Sequence, residues 1–340
     1  MVFVSAQPDD VIFSWQTELF IENVRGLGYS DQIQVLLFSP AGRPAKMPDN
    51  RFLMLEQRYK DDNVLFFWYP DVSNLISYGI SQSQYPPLLR PHILKRHFAL
   101  YPQLKEKAVF YHDTDIVFTR YTDFSPLMED DTCYLSNARS YLGVDYFDSK
   151  SSSVISHLKN EYSRLDVLDE CARLIGISRG ICAENNSGCG GAQYLLKNID
   201  STFWEDVEIG SYRLRRFLSY DLGGLNKTYF PSEELGFQSW CADMWALLWN
   251  LWKRNIQTVT PQLMDFCWAT DEIEKWGSSA IYHDAGVGSK NESFLFNKRK
   301  PEYVYGSNLP YMSDLSHVSP HYCSSGYVSH INEVKKKYNY

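Results

Sequence analysis

Asp113 and Asp115 stand two residues apart in Val109-Phe-Tyr-His-Asp-Thr-Asp-Ile-Val-Phe118, with apolar residues on both sides. In an extended segment, positions i and i+2 face the same way, so both carboxylates address one site. Like charges a few ångströms apart at the end of a buried strand are costly unless a cation neutralises them. Hard oxygen donors suit Mg²⁺ or Mn²⁺, and a metal held by one or two carboxylates usually completes its shell with substrate phosphates. The chemistry expected is metal-assisted work on a phosphorylated substrate. A bare Asp-x-Asp is also common in solvated turns; here the apolar flanks and the pattern upstream argue for a strand end. His112, next to the pair, alternates to the opposite face and is expected to be structural.

The elements that must position this pair alternate between two periodicities. Val2–Ser5, Gln34–Ser39, Val64–Tyr69 and Ala108–Tyr111 are short apolar runs that read as buried strands. Between them, Ile12–Arg25 places Ile12, Trp15, Leu19, Ile21 and Val24 along one helical face, with Gly26 and Gly28 as stops. Arg90–Leu100 reads as a helix with Pro91 in its first turn. Strands alternating with helices imply parallel pairing in an α/β sheet, whose ligands collect beyond the carboxyl ends of the strands. The later part is less regular: a Ser/Lys-rich loop at Ser149–Ser153, a helical pattern over His157–Leu174, a glycine-rich turn at Ser187–Gly191 leading to Ala192–Lys197, and a helix over Ser239–Trp252. Trp245, Trp249 and Trp252 share one helical face and are expected in the core. The last ten residues read as a loose tail.

Composition narrows the classes. The chain has 340 residues, 44% hydrophobic and 22% charged, with a formal charge of −8. These values exclude a mainly disordered or coiled-coil chain. The charge argues against an indiscriminate nucleic-acid coat but leaves room for a local basic groove. The 9 Trp, 24 Tyr and 19 Phe suit a filled core and also the lining of a site for flat ligands. The seven cysteines include no CxxC pair, so neither a zinc knuckle nor a disulfide framework is indicated. No apolar run of about 18 residues and no cationic apolar leader occur. A cytoplasmic protein with no membrane partner is expected.

Further stretches share an order with the acidic pair: Ser5-Ala6-Gln7 after the first strand, Tyr85-Pro-Pro-Leu-Leu-Arg90-Pro91, Gly190-Gly191-Ala192-Gln193-Tyr194, Trp240-Cys-Ala-Asp243-Met244-Trp245, Trp268-Ala-Thr270, and Ile281-Tyr-His283-Asp284-Ala-Gly286. Together they resemble the GT-A glycosyltransferases, whose nucleotide-binding half ends in a DxD motif at a strand terminus. The pattern is most similar to the hydroxyproline arabinosyltransferase and peptidyl-serine galactosyltransferase-like group, including relatives from large viruses and phages. It spans about residues 2–290. The resemblance implies a Rossmann-like, mostly parallel central sheet flanked by helices, with a less regular acceptor half. It divides the chain into residues 1–120 for the nucleotide sugar, 121–290 for the acceptor, and an extension over 291–340. It implies a divalent metal, Mn²⁺ or Mg²⁺, bridging the diphosphate of a UDP-sugar, with a host-cytoplasm setting if viral.

The same resemblance assigns roles. Asp113, Asp115 and His283 hold the metal; an imidazole ligand tilts preference from Mg²⁺ toward Mn²⁺, and the plainer reading of His283 is a packing histidine. Ala6, Gln7, Arg90, Asp113, Gly190, Gly191 and Gln193 meet the donor. Paired glycines let backbone amides approach an oxygen-rich ligand, or simply form a turn. Asp243 is the catalytic acid residue, as base or charge stabiliser, or else a helix cap. Lys290 follows Gly286 one residue later than in the HxxGxxK of glycogenin-like members, so no phosphate is assigned to it. The acceptor hydroxyl belongs to a hydroxylated protein side chain or to a hydroxymethylated base in DNA. For DNA, Arg213, Arg215 and Arg216 with Lys298, Arg299 and Lys300 offer a basic lip, or only solvated charge.

Two other classes compete. Haloacid-dehalogenase-like phosphohydrolases also use Asp-x-Asp after a buried strand, the first Asp as nucleophile. That motif belongs to a first strand followed by small residues, and Ile116-Val117-Phe118 lacks them. A non-catalytic carbohydrate- or DNA-binding protein would have no need of Asp113, Asp115 and His283 together.

Overall fold

Continuous runs of Val, Ile, Leu and Phe suit strands covered on both faces. They take that place in the computed structural model, which describes residues 1–39, 50–69, 86–155, 166–221, 236–306 and 308–340. The strands are β1 (Val2–Pro8), β2 (Gln32–Phe38), β3 (Val64–Tyr69), β4 (Val109–His112), β5 (Ile116–Phe118), β6 (Cys133–Asn137), β7 (Gly190–Leu196), β8 (Thr258–Val259), β9 (Phe266–Trp268) and β10 (Ile281–His283). The fold is mixed α/β, a mostly parallel sheet flanked by helices. The chain forms two units of interleaved segments: Met1–Asp71, Val109–Glu129 and Pro261–Tyr340 in the first, Val72–Ala108 and Asp130–Thr260 in the second.

In the first unit four strands run parallel in the order β3-β2-β1-β4. β1 starts where expected but continues to Pro8, because its pairing with β2 extends through Ala6 opposite Leu36 and Gln7 opposite Leu37. The helix Val11–Gly26 buries Trp15, Leu19, Ile21 and Val24, and ends before Gly28, whose φ of +91° is open to glycine at little cost. A smaller sheet, β5-β10-β9, pairs β10 antiparallel to β5 and parallel to β9. Asn23 on the helix donates from Nδ2 to the Phe118 carbonyl (3.0 Å), while its Oδ1 accepts from the Phe118 amide (2.8 Å).

The C-terminal residues differ from the expected loose tail. The helix Ser324–Tyr338 sends Tyr327, Val328, Ile331 and Val334 into a core shared with Trp15, Leu19 and Tyr282. Beyond that apolar stripe, the Tyr340 hydroxyl donates to Glu18 at 2.7 Å, and Lys337 reaches Glu22 at 2.6 Å. The polar faces of this segment masked its apolar spacing.

In the second unit β6 pairs antiparallel to β7 and parallel to β8. The helices Leu89–Leu100, Ser201–Arg216 and Ala242–Lys253 belong here, and Trp245, Trp249 and Trp252 are buried as the spacing predicts. The expected loop at Ser149–Ser153 is instead part of the helix Val144–Ile155. Phe147 from its first turns packs against Trp245 (ring centroids 5.0 Å apart) and Trp249 (5.7 Å), and the Ser152 hydroxyl bonds back to the Asp148 carbonyl. Aromatic packing outweighs the weak helix propensity of serine, whose hydroxyl at 152 is satisfied on the preceding turn. The helical pattern read over His157–Leu174 is described from residue 166 onward, where Val167–Ile175 is helical and the Asp166 side chain accepts from the Asp169 amide at its N-terminus.

Gly190 and Gly191 correct the expected turn: both lie in β7. A Cβ on Gly190 would come 2.5 Å from Leu135 Cβ and 2.5 Å from the Ser136 carbonyl oxygen. The glycines answer a tight strand-to-strand approach, at the point where the β6–β7 register shifts.

Candidate functional site

Four elements of the first unit converge at the carboxyl end of β4. Asp113 and Asp115 occupy the turn between β4 and β5, and His283 ends β10, whose residue 283 pairs with Ile116. His283 Nε2 lies 3.7 Å from Asp113 Oδ2 and 3.4 Å from Asp115 Oδ1. One ligand atom from each of the three residues falls within 4.8 Å of the others. Side-chain exposure rises from 8% at His283 through 15% at Asp115 to 29% at Asp113, so the group opens to solvent on the Asp113 side. The Trp268 ring lies against His283, with centroids 5.2 Å apart at 32°. The three sequence-predicted metal ligands are thus brought together.

The donor set fits a hard divalent ion. Asp115 Oδ1 is buried and has no well-directed hydrogen bond among the described residues, which leaves a charged acceptor aimed at the same space as His283. Two carboxylates and an imidazole would hold Mn²⁺ or Mg²⁺ there, leaving positions for oxygen ligands of a substrate. A cation held by Asp113, Asp115 and His283 would supply Lewis-acid stabilisation to a departing phosphate.

Lys298, read from the sequence as part of a basic lip or as solvated charge, is neither. The residue is 6% exposed, and its ammonium donates to Asp115 Oδ2 and to the Asp284 carbonyl. Burial alone would raise the Asp115 carboxyl, but Lys298 and His283 outweigh it and hold the group well below the usual carboxylate range. Asp284 is fully buried; burial and the nearby charge of Asp115 push its carboxyl upward against the pull of Lys298. Its amide donates to the Asp115 carbonyl (2.9 Å), and its Oδ1 accepts from the Gly286 amide (3.0 Å). Arg299 covers the same loop, reaching the Ala285 carbonyl. Sequence reasoning missed these roles because a Lys-Arg-Lys triplet carries no mark of burial. His112 is structural as expected: it stacks on Phe20 with centroids 4.1 Å apart, and burial pushes its imidazole down to about 4.

The other sequence-predicted residues fall into two places. Ala6 and Gln7 belong to the first unit and are buried inside β1, not in a segment after it; Gln7 Nε2 donates to Thr17 Oγ1 at 3.3 Å. Arg90, Gly190, Gly191, Gln193 and Asp243 belong to the second unit. There Arg90 Nη2 and Asp243 Oδ2 form an ion pair at 2.8 Å, a partnership the sequence did not reveal. Asp243 is in the first turn of Ala242–Lys253, where the helix dipole favours a carboxylate. Gly191 faces Met244, Leu142 and Tyr194, and Gln193 is buried. Tyr85, at the head of the stretch ending in Pro91, lies outside the described residues. Arg213, Arg215 and Arg216 are engaged within the second unit, at the Leu174 carbonyl, Ser239 and Tyr212 respectively.

No family model and no curated protein matches the sequence. Solved structures similar to the chain include the bifunctional glycosyltransferase WbbM in its apo form, at TM-score 0.46 and 10% identity, over 97% of this chain and 49% of that one. The chain therefore spans about half the length of WbbM. They also include the galactosyltransferase LgtC with donor and acceptor sugar analogs, at TM-score 0.43 and 11% identity, over 98% and 96% of the two chains. A third is core-mannan synthase A from Aspergillus fumigatus in its Mn/GDP form, at TM-score 0.29 and 11% identity, over 78% and 71%.

Proposed function

We propose that this chain is a metal-dependent glycosyltransferase of the GT-A type, moving a sugar from a UDP-sugar to an acceptor hydroxyl. The observation that carries the reading is the convergence of Asp113, Asp115 and His283 at the carboxyl end of a parallel strand. Cleaving a sugar from a nucleotide leaves a diphosphate that gains negative charge in the transition state, and this donor set suits an ion that meets such charge. Ala6, Gln7, Arg90, Gly190, Gly191 and Gln193 are assigned to the donor and Asp243 to the reacting sugar. Asp243 pairs with Arg90 at 2.8 Å, and we assign it to charge stabilisation in preference to general-base work.

The acceptor we favour is a hydroxylated side chain, as the resemblance to the arabinosyl- and galactosyltransferase-like group suggests. A hydroxymethylated DNA base is the second reading. The charge of −8 and the internal use of Lys298 both weaken it. If DNA were the acceptor, turnover would fall steeply between low and moderate salt. A viral or phage origin and a cytoplasmic setting belong to the same proposal.

Release of UDP from UDP-sugars in the presence of Mn²⁺ tests the activity. Asp113→Asn is expected to lower it roughly a hundredfold or more, since a metal contributes several kcal/mol to such a step. Release of inorganic phosphate from simple phosphate esters would instead establish the phosphohydrolase class, and turnover of neither substrate the binding class.

A further inference from the structure

We propose that Lys298 is a built-in counter-cation of the metal centre, which neutralises Asp115 when no divalent ion is bound and ties the acidic turn to the strand end carrying His283. The inference rests on the metal-centre reading above. An ionised carboxylate as enclosed as Asp115, at 15% side-chain exposure, needs an opposite charge at hand. Lys298, at 7%, supplies it on Oδ2 and leaves Oδ1 toward His283. The same ammonium bonds the Asp284 carbonyl, one residue beyond His283, and the Asp284 amide returns a bond to the Asp115 carbonyl. One lysine thereby brackets both pieces of backbone that present metal ligands.

Its own backbone is held in place. Leu295 and Phe296 are buried, the Phe296 amide donates to Ser324 Oγ, and Asn297 Oδ1 accepts from the Arg299 amide. The ammonium is thus delivered from a fixed platform and is not a mobile surface charge.

Charge counting gives this arrangement a consequence of opposite sign for two ligands. Asp113 and Asp115 carry −2, Lys298 returns +1, and the centre stands at −1 before metal and +1 with a divalent ion. Without Lys298 the same values are −2 and 0. Lysine therefore weakens metal binding and strengthens capture of an anion by the loaded centre. It acts as a positioning and charge-setting residue and not as a catalytic one.

Calorimetric titration of Mn²⁺ into the wild type, Lys298→Met and Lys298→Gln, followed by UDP into each Mn²⁺-saturated protein, separates this role from simple packing. Both variants are expected to bind Mn²⁺ about tenfold more tightly and UDP about tenfold more weakly, with a lower melting temperature before metal is added. Unchanged or weaker Mn²⁺ affinity in both variants overturns the proposal. If both are unfolded without metal, folding on addition of Mn²⁺ supports it and failure to fold overturns it. A wild type that takes up no Mn²⁺ removes the metal-centre reading itself, a distinct result.

Discussion

Asp115 keeps its charge because of what surrounds it, and other ionisable side chains here keep theirs off for the same kind of reason. His97, in the helix Leu89–Leu100, is fully enclosed 4.8 Å from the Tyr101 ring, and burial pushes its imidazole from 6.5 down to about 4. Above pH 6.5 both the native and unfolded forms are neutral there, and nothing is lost. Between 6.5 and 4 the unfolded chain binds a proton that the native protein does not, so stability declines as pH falls, by up to about 1.4 kcal/mol per pH unit. Urea unfolding at pH 7 and pH 5 should show a smaller decline for His97→Phe than for the wild type; equal declines would refute it. Asp113 and Asp115 were legible in the sequence because acidic spacing and a strand end are local signals, whereas His283 was reached only through the family resemblance. Lys298 and the Arg90–Asp243 pair were not, since their meaning depends on partners 183 and 153 residues away.

Strands and helices show a similar divide. The parallel strands could be read because runs such as Val35–Phe38 are apolar throughout and therefore need cover on both faces. The helix over Ser149–Ser153 and the strand at Gly190–Gly191 could not, because aromatic packing decides the first and close backbone approach the second. That difference is measurable. An alanine at position 190 meets Leu135 Cβ and a carbonyl oxygen that cannot withdraw, whereas at 191 it meets Met244 Cε (2.6 Å) and Leu142 Cδ1 (2.9 Å), both ends of flexible side chains. Gly190→Ala should therefore cost about 3 kcal/mol in denaturant unfolding and Gly191→Ala about 1. The reverse order would show that β7 does not lie against β6 as described.

For the chain as a whole, the C-terminal residues matter more than their composition suggests. Ile331 is fully buried, Val334 nearly so, and Tyr340 serves Glu18, an acid whose burial raises its carboxyl against the pull of Tyr340 and Arg58. Removing residues 331–340 should lower the stability of the first unit by about 4 kcal/mol or more, from the two apolar side chains alone. A truncated protein with an unshifted denaturation midpoint would contradict the packing described. Among the described residues no helix is long and apolar enough to cross a membrane.

Asn23 has a consequence of another kind. By giving one side-chain amide to both backbone groups of Phe118, it closes the outward rung of β5 with an atom pair from a helix. A short ribbon edge of this sort otherwise invites recruitment of a stranger's strand. Here the hydrogen-bonding step at Phe118, three residues beyond Asp115, is already taken, and template-driven aggregation is denied that starting point.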